Sequence, residues 1–355
     1  MKKHKAGVIT VVVLLILVAA VGILFVVRNK SGDVTEHKNF DVSKEQPETE
    51  PEEVDTQEET LADVQDSTAS TVYMTTDISP EGLQKVYDAL QRIPEGRVGV
   101  KLSTGEAGGH YYLSPDLIED LVQSVNGTIV ECNTAYGGSR SSTAAHMQVA
   151  EEHGFTAIAD VDIMDADGSM SLPVTGGTHL QENLVGAHMA DYDFIMVLSH
   201  FKGHAMAGFG GAIKNISIGI ASSDGKLMIH TGGKGGSMWS ADQDSFLESM
   251  GEAAKSVSEY EGNGERMLYI NVMNNLSVDC DCDSSPSEPD MHDVGILASL
   301  DPVALDQACI DIVYDTDTGT SLVERIESRN GLHTLEYAEE IGLGSRTYEV
   351  VSVDD

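Results

Sequence analysis

Short runs rich in valine and isoleucine recur along the chain, and most are followed within a few residues by a segment of helical periodicity. "RVGVKLS", "GTIVECNT", "TAIADV", "DFIMVLS", "GERMLYINVMNN" and "VGILAS" read as strands. "EGLQKVYDAL", "SPDLIEDLVQSV", "SSTAAHMQVAEEHG" and "DPVALDQACIDIVYD" read as helices, with Ser114–Pro115 and Asp301–Pro302 opening two of them. Strands and helices alternating at this spacing predict an α/β fold, a layered and mainly parallel sheet flanked by helices. Sheets of this kind bind ligands beyond the carboxyl ends of their strands. The segments "ECNTAYGGSR", "SHFKGHAMAGFGG" and "MNNLSVDCDCD" each follow a predicted strand, so the fold would gather them into one composite site.

The N-terminal part has a different character. "MKKHK" precedes an uncharged run, Ala6 to Val27, whose twenty-two residues would span roughly 33 Å as a helix. That is longer than the apolar core of a cleaved signal peptide, and no small-x-small cleavage site follows it. Residues 1–30 are therefore expected to be one uncleaved transmembrane anchor. Lysines before the run favour an inside N-terminus and an extracytoplasmic remainder. Residues 31–71 are dominated by Glu, Asp, Thr and Pro and read as an acidic, disordered linker. The folded domain is expected over residues 72–355.

The formal charge is −37. Nucleic acid or an anionic surface would be repelled, which leaves a small-molecule ligand, with membrane contact only through the anchor. Against this background "SHFKGHAMAGFGGAIKN" concentrates two histidines, two lysines and four glycines. It is not a Walker A loop, because Lys214 follows no glycine and precedes no Ser or Thr. It also lacks the third glycine of a dinucleotide fingerprint, Ile213 standing there. Either it is a tight turn with surface lysines, or a site built from imidazoles and ammonium groups. In "DADGS", Ile163 and Val174 occupy positions where an EF-hand needs acids, so calcium is not expected.

Cys280 and Cys282 are two apart in "DCDCD". So small a ring disfavours a disulfide between them, whereas thiolates so spaced can share a metal. On an extended strand both would face one side and the aspartates the other. Pairing with Cys132 or Cys309, or inert thiols, are the alternatives. His146 and Cys309 fall in predicted helices and read as packed core.

"SHFKGHAMAGFGGAIKN", "NTAYGGSRSSTAAHMQVAEEHGF" and "VDCDCDSSPSEPDMHDVGILASLDPVALDQACIDIV" together resemble the family known as domain of unknown function 362, over roughly residues 95 to 315. Its members often bear an iron–sulfur label, which comes from a ferredoxin-like insert. The matching interval here, "KGGSMWSADQDSFLESMGEAAKSVSEYEGNGER", holds no cysteine, so no ferredoxin-type cluster is expected.

The pattern from His204 through Gly208, Gly211 and Lys214 to His230 is also similar to a segment of the nickel-pincer lactate racemase family. That resemblance implies an acid–base role for His204, cofactor holding by Lys214 and metal ligation by His230. Ser139-Arg140 replaces that family's histidine–arginine pair, so its second acid–base group is missing.

The candidate catalytic residues are thus His204 and Lys202. Gly208, Gly210, Gly211, Lys214, Asn215 and Arg140 are the candidate cofactor-binding residues. His200, His230, Cys280 and Cys282 are the candidate ligands of a divalent transition metal. The expected function is a metal or cofactor site that supports redox or proton-transfer chemistry. The alternatives are a non-catalytic module for an anionic small molecule and a racemase- or epimerase-like enzyme.

Overall fold

The computed structural model describes residues 69–354. The expected anchor and nearly all of the expected linker lie outside the described residues. Among the described residues no helix is long and apolar enough to cross a membrane.

Among the described residues there are twelve strands: β1 (Ser70–Thr75), β2 (Val98–Lys101), β3 (Thr128–Glu131), β4 (Val161–Ile163), β5 (Ser169–Pro173), β6 (Glu182–Gly186), β7 (Phe194–His200), β8 (Lys202–His204), β9 (Gly208–Gly210), β10 (Met267–Met273), β11 (Gly295–Ser299) and β12 (Tyr348–Ser352). The helices are α1 (Pro80–Ala89), α2 (Pro115–Ser124), α3 (Thr143–Glu152), α4 (Phe155–Ile158), α5 (Ala212–Ser217), α6 (Ser223–His230), α7 (Gln243–Tyr260), α8 (Pro302–Asp315), α9 (Thr320–Ser328) and α10 (His333–Glu340).

Eight strands make one sheet in the order β12-β1-β11-β10-β7-β2-β3-β4. Only β11 runs antiparallel to its neighbours, so the sheet is mainly parallel, in keeping with the sequence. Along the buried strand β7 the two faces separate by alternation. Ile195 and Val197 join one core with Ile213 and Ile216 of α5 and Val257 of α7. Phe194, Met196 and Leu198 join the other with Leu83 of α1 and Ile118 of α2. β5–β6 and β8–β9 are separate two-stranded pairs.

"TAIADV" is not the strand it was expected to be. Gly154 takes a left-handed φ of 88° and lets the chain make one helical turn, α4, which buries Phe155 completely. β4 starts only at Val161. The first strand begins at Ser70, so Ser70 and Thr71 belong to the sheet rather than to the linker.

From β2 the chain moves outward to β3 and β4, then returns to the other side of β2 as β7. The order reverses between β2 and β7, and the carboxyl ends of the diverging strands leave a crevice there. Lys101 ends β2, Glu131 ends β3 and His200 ends β7. The loop after β10 reaches the same place because Gly203 donates its N–H to the Ser277 carbonyl at 2.8 Å. A Cβ at Gly203 would lie 2.1 Å from the Val278 carbonyl oxygen. Backbone on both sides of that contact cannot yield cheaply. Gly203→Ala should therefore cost about 1–3 kcal/mol, seen as a lower urea midpoint at unchanged slope. An unchanged midpoint would mean that the two loops are not in contact.

Candidate functional site

The crevice deepens into a cavity of about 130 Å³, room for a small molecule rather than a single water. Eleven of the twelve nominated residues line it, so Lys214, His230 and Cys282 share one space; Gly208 is the exception. Gly208 instead lies against Ile326 and Gly331, where its φ of 83° and the nearby backbone leave no place for a side chain.

Glu131 organises one wall. Its carboxylate accepts from the Thr104 amide at 2.7 Å, from Arg140 Nη1 at 3.2 Å and from Lys101 Nζ at 3.4 Å. Burial alone would raise its pKa, but the Lys101 charge, the His146 bond and Arg140 hold it well below the usual carboxylate range. His146 is fully buried, as expected, and rests on Thr104 Oγ1 at 3.3 Å. Glu106 fixes Arg140 from the other side at 3.4 Å and accepts from Ser139 and from the Tyr136 hydroxyl.

Asp281 organises the opposite wall. It accepts from His200 Nδ1 at 2.9 Å and forms an ion pair with Lys202 Nζ. Burial works against its ionisation, and Lys202 and His200 outweigh it, so the carboxyl stays charged. The other His200 nitrogen faces the Asn274 carbonyl at 2.6 Å. Both His200 nitrogens are thus taken by acceptors and neither is left for a metal, which corrects the sequence expectation.

His204 and His230 differ from it and from each other. His204 Nδ1 accepts backbone N–H groups from Ala207 at 2.9 Å and Met206 at 3.3 Å. A neutral His204 therefore carries its proton on Nε2. Burial, then the Lys214 charge, keep its pKa well below the ordinary imidazole value. His230 is the reverse case: its Nδ1 donates to the Lys226 carbonyl at 2.7 Å, which leaves Nε2 as a lone pair suited to a metal. Burial holds His230 at about 4.

The "DCDCD" segment is not extended. It makes a turn in which the Asp283 amide donates to the Cys280 carbonyl at 2.9 Å. Cys280 and Cys282 form a disulfide across that turn, and Cys132 and Cys309 are buried free thiols. The expectation that so small a ring would not close is thus overturned; the turn brings together two sulfurs that a strand would hold apart. One ring nitrogen of His204 and the two sulfurs lie within 4.8 Å of one another. They could hold a soft metal as a group only after reduction.

The remaining nominated residues have identifiable partners, with one exception. Asn215 Nδ2 donates to the Lys101 and Leu198 carbonyls at 3.2 and 3.1 Å, and its Oδ1 accepts from Lys101 Nζ, so it ties α5 to the sheet. Gly211 has no room for a Cβ, which would meet Asp306 Oδ1 at 2.3 Å; that carboxylate accepts from the Ala212 and Ile213 amides. Gly210 lies beside the Lys214 stem. Lys214 is the exception: among the described residues its ammonium has no hydrogen-bond or ion-pair partner. Burial, then the Lys202 charge, lower its pKa to about 7.

The sequence profile of a family described as "Domain of unknown function (DUF362)" matches residues 98–311. The chain belongs to the DUF362 family. No curated protein matches it. Solved structures similar to it include the lactate racemase apoprotein from Thermoanaerobacterium thermosaccharolyticum, at a TM-score of 0.39 and 13% identity over 69% of this chain and 57% of that one. A Thermotoga maritima protein solved by a structural genomics consortium gives 0.37 and 14% over 65% and 57%. The chain thus spans less than two thirds of either.

Sequence reasoning missed Lys101, Glu131, Lys226 and Asp281, all of which line the cavity of this DUF362 protein. Lys101 and Glu131 carried a signal: each is a charge at the carboxyl end of an apolar strand. Lys226 Nζ is 2.5 Å from the Ala221 carbonyl, and nothing in its helix marked it out.

Lys214 gives a test in stability. Its pKa of about 7 in the folded chain lies below the ordinary 10.5, so the unfolded chain binds the extra proton first. Wild-type stability is penalised as pH falls from the unfolded value, and the penalty is complete below pH 7. Lys214→Met should be more stable than wild type by about 2 kcal/mol at pH 6, a figure discounted for water in the cavity. The gain should shrink steadily above pH 7 in urea titrations. A pH-independent difference would mean that Lys214 is not desolvated.

Proposed function

We propose that the cavity binds a small anionic molecule, a cofactor or substrate, and that His204 and Lys214 support proton transfer on it. The observation that carries this reading is the charge of the lining. Lys101, Arg140, Lys202, Lys214 and Lys226 face the cavity against two carboxylates, Glu131 and Asp281. A bare divalent cation would meet net positive charge there, whereas a carboxylate or phosphate would offset it. Neutral His204 presents an N–H, and Lys214, with a pKa of about 7, can take or give a proton under mild conditions.

A metal is a second reading, favoured by the unprotonated Nε2 of His230. Anionic groups of the ligand itself would then share the coordination and supply the charge that the pocket lacks. A racemase-like reaction is less favoured, because Ser139 and Arg140 are both held by Glu106 and offer no free base. The uncharged run Ala6–Val27 would tether the domain at a membrane surface, outside the cytoplasm.

Malonate, a dianion throughout the neutral and alkaline range, is a suitable probe for calorimetry. It should bind with constant affinity just below pH 7 and with falling affinity above it, because it requires the protonated Lys214. Binding near pH 8 should take up close to one proton, detectable by comparing buffers of different ionisation enthalpy. Lys214→Met should weaken binding at pH 7 and flatten the profile. A wild-type affinity indifferent to pH between 7 and 9, or no binding at all, would sink the reading.

A further inference from the structure

We infer that the Cys280–Cys282 bridge is a redox-active disulfide that exchanges with a dithiol, the His204 N–H stabilising the departing sulfur by a hydrogen bond. The inference goes beyond the anion-binding reading and does not depend on it.

The bridge does not act as a staple. It spans one intervening residue, so closing it removes little freedom from the unfolded chain. Its segment is fixed without it. The Asp281 carbonyl accepts from the Glu106 amide at 2.7 Å, the Ser277 carbonyl from Gly203 at 2.8 Å and the Val278 carbonyl from Arg325 Nη1 at 2.8 Å. Opening the disulfide would thus leave both sulfurs in place.

The surroundings suit exchange. Cys280 is buried while Cys282 is partly exposed, so an incoming thiolate meets Cys282 first. Lys202 is paired to Asp281, the residue between the cysteines, and Lys214 faces the same cavity. Such cations stabilise the thiolates that reduction produces. His204, its proton on Nε2, lies within the same 4.8 Å cluster. Burial first, then the titratable groups around it, Lys214, His230, Lys202 and Arg325, disfavour its protonation to imidazolium, so it presents a neutral N–H that donates a hydrogen bond. The other two cysteines take no part. Cys132 is buried, its thiol pushed up to about 12, and it donates to the Ile220 carbonyl; Cys309 is buried against Asn271.

The exchange balances as follows in atoms and electrons. A thiolate of the dithiol bonds to Cys282 Sγ, the S–S bond breaks, and its electron pair goes to Cys280 Sγ, a thiolate that accepts the hydrogen bond of the His204 N–H. The second thiol of the reductant then attacks its own sulfur in the mixed disulfide and expels Cys282. Two electrons pass to the protein and the reductant becomes a disulfide. Its two protons end on Cys280 and Cys282.

The test uses the folded full-length chain with dithiothreitol, alkylation of free thiols at timed intervals and intact mass. Two thiols should become alkylatable without denaturant, while Cys132 and Cys309 stay protected. His204→Leu, which removes the hydrogen-bond donor to the developing thiolate, should slow reduction about 100-fold, and His204→Gln, which keeps an N–H, should recover part of the loss. If the leucine variant does not fold, a mixed disulfide trapped with glutathione decides: attachment at Cys282 supports the mechanism and attachment at Cys280 overturns it. Reduction only in denaturant, or at the wild-type rate in folded His204→Leu, also overturns it. Malonate binding on the same oxidised sample is read separately. Native reduction without malonate binding would sink the anion reading alone, and the converse would sink this one alone.

Discussion

The site depends on one buried carboxylate. Asp281 holds His200, which ends β7, and Lys202 just after it, and its own carbonyl takes the Glu106 amide, which follows β2. Glu106 in turn fixes Ser139 and Arg140, which follow β3. Loops from four parallel strands are thereby tied through a residue that itself follows β10. The sheet alone brings these loops to one edge; it does not set their distances. A buried carboxylate with two cationic partners recovers the cost of its desolvation only when the geometry is good, and removing one member costs about 3–5 kcal/mol because a charge is left stranded. The clamp therefore fixes a narrow geometry rather than adding a large stability.

That clamp also decides which charges in the cavity are free. The exterior of the chain is strongly acidic, yet charges on it lie beyond a salt-screening distance of about 8–10 Å from much of the interior. Inside, where water is scarce, the nearest groups dominate. Lys202 is neutralised by Asp281, and Lys101 and Arg140 share Glu131. The overall negative charge of the molecule thus gives no guide to the sign of its cavity. The two are opposite.

The fold was legible because apolar periodicity reports directly on burial. The strands from "RVGVKLS" to "VGILAS" formed close to where they were read, and the site residues gathered at their carboxyl ends. "TAIADV" failed because a left-handed glycine and one deeply buried phenylalanine outweigh local β preference. The Cys280–Cys282 pairing failed for a similar reason: a turn hydrogen bond sets the sulfur positions, and composition does not reveal it. The histidines show the limit most clearly. His200, His204 and His230 were nominated on residue type. Two acceptors occupy His200, two backbone donors fix the tautomer of His204, and one carbonyl fixes the opposite tautomer of His230. Their chemistry comes from groups that only the folded chain supplies.

The buried lysines carry the argument one step further. Lys101 reaches the Leu102 carbonyl, Glu131 and Asn215, and Lys226 reaches the Ala221 carbonyl. Each ammonium thus has hydrogen-bond acceptors in a place poor in water. Lys214 has none of these, although it shares the cavity and its pKa lies near neutrality. An amine in that position lies close to the balance between its neutral and charged states, and a bound anion would favour the charged one. A second carboxylate beside it would have removed that sensitivity and made Lys214 one more structural ion pair. Without one, an anion bound in the cavity would supply the missing counter-charge, and above pH 7 its binding and the protonation of Lys214 would be coupled.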